Sequence, residues 1–134
     1  MRALLLVGAG GFVGAILRYS TSALLERAGR GTVRGIPVGT LAVNVVGCLL
    51  LGWLLARLAS APEAESSALD PRDVHLLVGV GFLGALTTFS TFGHETLALV
   101  RAGQSGAAIA NVGLQLALGL GAVWLGLRLA AAAG

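Results

Sequence analysis

Thr87-Thr88-Phe89-Ser90-Thr91-Phe92 places hydroxyls and rings in the middle of an apolar segment, directly after the glycines of Gly79-Val80-Gly81-Phe82-Leu83-Gly84. Glycine and threonine are poor choices for a helix interior. In lipid, a local interruption is tolerated only where the freed backbone groups line a cavity, meet an ion or are buried in protein. A polar, glycine-led, interrupted segment at mid-membrane therefore reads as an ion or substrate site. Phe89 and Phe92 lie three apart and share a helix face. A ring carries a negative face and a positive edge, so edges turned towards a pore stabilise an anion weakly. Ordinary apolar packing is the other reading of the pair.

Further polar residues fall on the remaining apolar runs. Thr40, Asn44 and Gly47 follow i, i+4, i+7 spacing and share a face. An asparagine there is either glue between helices or an uncharged source of two N–H donors for an anion that must bind and leave. Asn111, Gln115 and Gly119 form a second polar track, read either as contacts within an assembly or as a pore wall. Arg18 lies one turn beyond Gly10 and Gly14; it faces a water-filled cavity or partner, or snorkels to the interface. Glu95 shares a face with Thr88 and Phe92. With His94 it marks a proton relay, a vestibule or the membrane interface.

Four elements must position these groups. The chain has 134 residues, a mean hydropathy of +0.89 and 11% charged residues, against about 25% in soluble domains. A span needs about 20 mainly apolar residues, and four windows qualify: Ala3 to Leu25, Pro37 to Leu58, Arg72 to Val100 and Ser105 to Leu129. Pro37 suits a first helical turn. Asp70-Pro71-Arg72-Asp73 supplies a cap, an N1 proline and a first-turn acid for the third window. That window is too long for one clean span, which suits a helix broken near 84–88. The expectation is a single all-α membrane domain. Its connections are Glu26 to Gly35, with Arg27, Arg30 and Arg34, and Ser60 to Asp70, with Pro62, Glu63 and Glu65.

Several classes drop out. The pI near 10.5 comes from arginines scattered singly among apolar runs, with no basic face for nucleic acid. Cys48 alone cannot form an internal disulfide. The first apolar stretch lacks an A-x-A-like cleavage site and reads as a retained helix rather than a signal peptide. Gly8, Gly10, Gly11 and Gly14 imitate a dinucleotide fingerprint, but the chain has no room for the βαβ unit it needs. Gly10 and Gly14 read better as small-xxx-small packing. No nucleophile–base set or metal-ligand cluster points to an enzyme. A small multidrug-type proton-coupled exporter would want an acid deep in the first span, which has none before Glu26. A non-conducting scaffold would use the polar tracks as glue only.

Orientation is unusual. Arg2, Arg57, Arg72 and Arg128 lie on one side of a four-span layout, and Arg27, Arg30, Arg34 and Arg101 on the other. The Lys/Arg bias that orients membrane proteins is absent. Either other cues orient the chain, or copies insert both ways and pair antiparallel, giving a two-fold axis in the membrane plane.

Three ordered segments resemble the CrcB/Fluc fluoride channels, and the resemblance covers nearly the whole chain. They are Gly10 to Tyr19 (GGFVGAILRY), Gly39 to Gly47 (GTLAVNVVG) and Gly81 to Phe92 (GFLGALTTFSTF). The resemblance implies an antiparallel, dual-topology homodimer in the inner (plasma) membrane that passes fluoride through two pores. It implies a structural Na+ on the two-fold axis, held by the Gly84 and Thr87 carbonyls of both copies. It maps Phe89, Phe92 and Asn44 onto the pore, with Ser90, Thr91, Thr40 and Thr88 beside them, and Arg18 and Glu95 onto the pore and vestibule. Asn111 and Gln115 depart from the family, whose members often carry hydroxyl residues there.

Overall fold

A computed structural model describes residues 1–60 and 70–133. Most of the connection between the second and third spans, including Pro62, Glu63 and Glu65, lies outside the described residues. Among the described residues four helices are long and apolar enough to cross a membrane: Arg2–Arg27, Val38–Ala59, Pro71–Arg101 and Ser105–Ala132. The first, second and fourth are the continuous helices α1, α2 and α6. The third is assembled from α3 (Pro71–Val74), a π-helical stretch (His75–Leu83), α4 (Gly84–Leu86) and α5 (Phe89–Arg101). Between α4 and α5, Thr87 (ψ 152°) and Thr88 (φ −149°, ψ 116°) are extended.

Local chemistry explains the ends. Asp70 caps α3 by accepting from the Arg72 N–H at 2.8 Å, with Pro71 at the first helical position. α1 and α5 both finish in a left-handed glycine, Gly29 (φ 66°) and Gly103 (φ 73°). In each, the next residue's N–H returns to the helix: Arg30 to the Leu25 carbonyl at 2.8 Å, Gln104 to the Leu99 carbonyl at 2.9 Å.

The first connection is more ordered than its sequence announces. β1 (Thr32–Val33) pairs with β2 (Ile36–Pro37) across Arg34-Gly35, both at positive φ, the torsions of a tight two-residue hairpin. Pro37 therefore ends a strand and precedes α2 (φ −69°, ψ 105°) instead of occupying its first turn.

The helices associate as two close pairs. A Cβ on Gly10 would strike the Leu77 carbonyl and one on Gly14 the Phe82 carbonyl, while Gly81 lies against the Val7 carbonyl. The small-residue stripe of α1 thus lets its backbone touch the π-helical stretch, the use expected of such stripes in lipid. α2 and α6 meet the same way, Gly52 against the Val123 carbonyl and Gly126 against the Leu49 carbonyl. Val43, Leu54, Leu83 and Leu86 form the core joining the pairs. An Arg2–Asp73 ion pair ties the start of α1 to that of α3, and Arg57 Nη1 donates to the Ala133 carbonyl at 3.3 Å. The four starts and ends therefore alternate, as an up-down-up-down bundle requires. Large apolar side chains such as Leu4, Phe12, Ile109, Leu120 and Trp124 stay exposed, which only lipid or protein can cover at acceptable cost.

Candidate functional site

Two extended residues inside an apolar span leave backbone groups without their helical partners, and accounting for them builds the site. The Thr88 N–H donates to Asn44 Oδ1 at 2.8 Å, and the Thr88 carbonyl accepts from Asn44 Nδ2 at 3.1 Å. One side-chain amide from α2 thus satisfies both polar groups of Thr88. Thr88 Oγ1 caps α5 by accepting from the Thr91 N–H at 3.1 Å. Arg18 Nε donates to the Ala85 carbonyl at 3.1 Å, an acceptor that Phe89 would have served in a continuous helix. The Leu83 carbonyl keeps Thr87 N–H and also receives Thr87 Oγ1, each at 3.0 Å. Among the described residues, no hydrogen bond reaches the carbonyls of Gly84 or Thr87. Gly84 itself is helical (φ −64°, ψ −31°), so the departure from helix starts at Thr87 and the glycines ahead of it are not its cause. Gly81 serves contact with α1 instead. The Thr87 methyl sits against the Cβ-free face of Gly47, which accounts for a glycine at that position of the Thr40–Asn44–Gly47 face.

Asn44 faces a second amide. Its Nδ2 also donates to Gln115 Oε1 at 3.1 Å, so both Asn44 N–H donors are spent on protein. Gln115 Nε2 is buried and has no partner among the described residues. Asn44 and Gln115 line a cavity of about 300 Å³ with Thr87, Thr88, Phe89 and Phe92. The two rings stand 5.5 Å apart, edge to face at 63°. Phe89 is 82% exposed, so little of the chain covers this ring.

A second cavity of about 260 Å³ lies on the other side of Thr88, lined by Arg18, Tyr19, Ser22, Thr40 and Thr91. Thr88 Oγ1 donates to Thr91 Oγ1 at 3.0 Å and lies 3.2 Å from Ser90 Oγ, so the three hydroxyls form one cluster at the head of α5. Thr40 Oγ1 donates to Glu95 Oε1 at 2.7 Å, and Glu95 lines a third, wider cavity of about 410 Å³ with Glu26 and Thr32. Thr88 is shared by the first two cavities, and the Thr40–Glu95 contact joins the second to the third. Polar groups thus follow one another from the hairpin end of the bundle to the Phe89–Phe92 pair.

The α6 track divides. Gln115 turns to α2. Asn111, fully buried at 0% exposure, turns to α5, where its Nδ2 donates to Thr96 Oγ1 at 2.9 Å and Thr96 Oγ1 donates to the Phe92 carbonyl at 2.8 Å. Asn111 therefore lies outside the cavity wall and braces the helix that carries Phe92. Thr96 was not singled out from sequence; its signal is a hydroxyl one turn after Phe92. Among the described residues no three His, Cys, Asp or Glu side chains gather. Hard oxygens for a cation are offered instead by the Gly84 and Thr87 carbonyls.

Residues 5–127 match the model of a family described as "CrcB-like protein, Camphor Resistance (CrcB)". The chain is 47% identical over 130 residues to a Shewanella amazonensis protein named "Fluoride-specific ion channel FluC", covering 96% of each. It is 39% identical over 130 residues to a protein of that name from Oceanobacillus iheyensis, covering 97% of this chain and 92% of the relative. A third relative so named, from Methanocaldococcus jannaschii, is 45% identical over 112 residues, or 84% of this chain and 81% of the other.

Proposed function

The chain belongs to the CrcB family, and from that membership and the geometry of its site we propose that it is a fluoride-selective channel of the plasma membrane that lets fluoride leave the cell passively. The observation that carries this reading is the cavity where the rings of Phe89 and Phe92 meet the amides of Asn44 and Gln115 beside the extended pair Thr87–Thr88. Ring edges, hydroxyls and amide N–H groups are donors without charge. They suit an anion that must enter, shed water and leave again, where a fixed cation would trap it. Weakly acidic HF crosses membranes, dissociates inside and leaves fluoride trapped. A membrane potential negative inside then drives the anion out through an open path, and no energy coupling is needed.

The assembly proposed with it is an antiparallel homodimer of oppositely inserted copies. The arginine count of four against four supports it, as does the exposed apolar surface. Each copy would bring a pore lined by Phe89, Phe92, Ser90 and Thr91, with Arg18, Thr40 and Glu95 towards the vestibule. The third span would act as a broken helix whose Gly84 and Thr87 carbonyls, two from each copy, hold a structural Na+ on the axis. The residues fit such an ion: among the described residues these carbonyls receive no hydrogen bond, and Thr87 Oγ1 is already committed to Leu83. When bound, the ion neutralises carbonyl dipoles that are expensive to leave bare in lipid.

The test is reconstitution of the purified protein in liposomes loaded with fluoride and chloride, with release followed by ion electrodes. Fluoride should leave only the protein-containing vesicles while chloride stays. Absence of protein-dependent fluoride release would overturn the reading.

A further inference from the structure

We infer that Gln115, through Nε2, is the N–H donor that the permeating anion meets in the Phe89–Phe92 cavity, while Asn44 holds the backbone. The orientation of both amides follows from backbone groups whose identity is beyond choice. Thr88 N–H can only donate, so the atom facing it at 2.8 Å is the Asn44 oxygen. The Thr88 carbonyl can only accept, so the atom 3.1 Å from it is the Asn44 nitrogen. That nitrogen is also 3.1 Å from the Gln115 amide, which must therefore present its oxygen. The nitrogen of Gln115 is then the free end, and it is buried without an acceptor among the described residues.

The amide belongs to the wall of the cavity that holds both rings. A buried donor with nothing to donate to is costly and calls for an occupant. Asn44 has no N–H left to offer, whereas Gln115 has both. An anion between the two rings and this amide would regain part of the hydration it lost. This assignment rests on the fluoride reading and adds to it the residue that contacts the ion from α6.

Two measurements test it. The chain contains two glutamines, Gln104 and Gln115, so protein labelled with ¹⁵N-glutamine gives two side-chain NH₂ signals, which a Gln104→Glu variant assigns. Titrating the wild-type protein with fluoride should move the Gln115 amide protons downfield and leave Gln104 in place; chloride at equal ionic strength should move neither. In liposomes, Gln115→Glu keeps the oxygen that Asn44 needs and replaces the NH₂ by an acceptor. Its fluoride release near neutral pH should fall by about a hundredfold, the scale on which removing one donor from a buried anion acts. If wild-type vesicles release fluoride while the Gln115 signal stays fixed, the assignment is overturned and the channel reading stands. The same holds if Gln115→Glu conducts as the wild type does. If wild-type vesicles release none, the channel reading itself has failed.

Discussion

Replacing Asn44 separates the cost of an unpaired backbone from the cost of a blocked path. In Asn44→Leu, both polar groups of Thr88 lose their partners, the N–H at 2.8 Å and the carbonyl at 3.1 Å. A leucine fills the space and admits no water to replace the amide. Each buried group left without a partner costs about 1–3 kcal/mol, so the pair should destabilise the protein by about 2–6 kcal/mol. Asn44→Asp keeps an oxygen for the Thr88 N–H and loses the donor to two acceptors, the Thr88 carbonyl and Gln115 Oε1. Gln115 can rotate its amide and donate to the new carboxylate, but the Thr88 carbonyl cannot turn. One unpaired group remains, at about 1–3 kcal/mol, and the carboxylate adds its own desolvation cost. The rotation also exchanges Gln115 nitrogen for oxygen on the cavity side, and a carboxylate of the same sign as the anion now stands in the wall. Thermal unfolding in detergent should place both variants below wild type, while fluoride release near neutral pH is lost in both. A Leu variant that melts with the wild type would refute the hydrogen-bond accounting. An Asp variant with unchanged release would place Asn44 and the orientation of Gln115 outside conduction.

Phe89→Ile and Phe92→Ile should slow fluoride release in liposomes without altering assembly, because a branched aliphatic group has no electropositive edge; normal release in both would remove the ring-edge mechanism. Gly14→Val should destabilise the bundle by roughly 1–3 kcal/mol or more through overpacking, since any Cβ there meets the Phe82 carbonyl. Gly113→Val, with open space around it, is the control, and equal melting of the two would contradict the α1 packing. Labelling a cysteine placed in the hairpin connection from outside intact cells should reach about half the copies if insertion is mixed; labelling near none or all means one topology and sinks the antiparallel pair. Among the described residues a Cβ on Gly84 meets only the Gly79 carbonyl, at an ordinary 3.8 Å. If copies meet there, Gly84→Leu should lose sodium-dependent dimer stability in size-exclusion runs, whereas Thr87→Val, which alters no carbonyl, should keep it. Sodium-dependent stability retained by Gly84→Leu would rule out this axis.

Four apolar windows could be read from the sequence because each spans lipid alone, and length and composition settle that without reference to neighbours. The Asp70–Pro71 cap was legible for the same reason, as were the hydroxyl-and-ring segment and the three segments that carry the family resemblance. Gly10 and Gly14 were legible as a packing stripe because four-residue spacing on a helix is a local property. What they pack against was not: Leu77 and Phe82 lie far along the chain, and the π-helical stretch between His75 and Leu83 has no residue pattern that marks it. The sequence pointed to Gly84 and its glycine neighbours as the cause of an interruption. In the tertiary structure the extended residues are Thr87 and Thr88, held there by Asn44, Arg18 and Gly47 from other helices. Asn44 and Gln115 could each be seen as uncharged polar residues on apolar faces. Which of them keeps a free N–H depends on which partners surround both amides, and helix periodicity carries no information about that. The division of α6 into an Asn111 side facing Thr96 and a Gln115 side facing Asn44 has the same origin. Hydrogen-bond identity is settled between elements, where donors and acceptors from distant parts of the chain must all be matched at once.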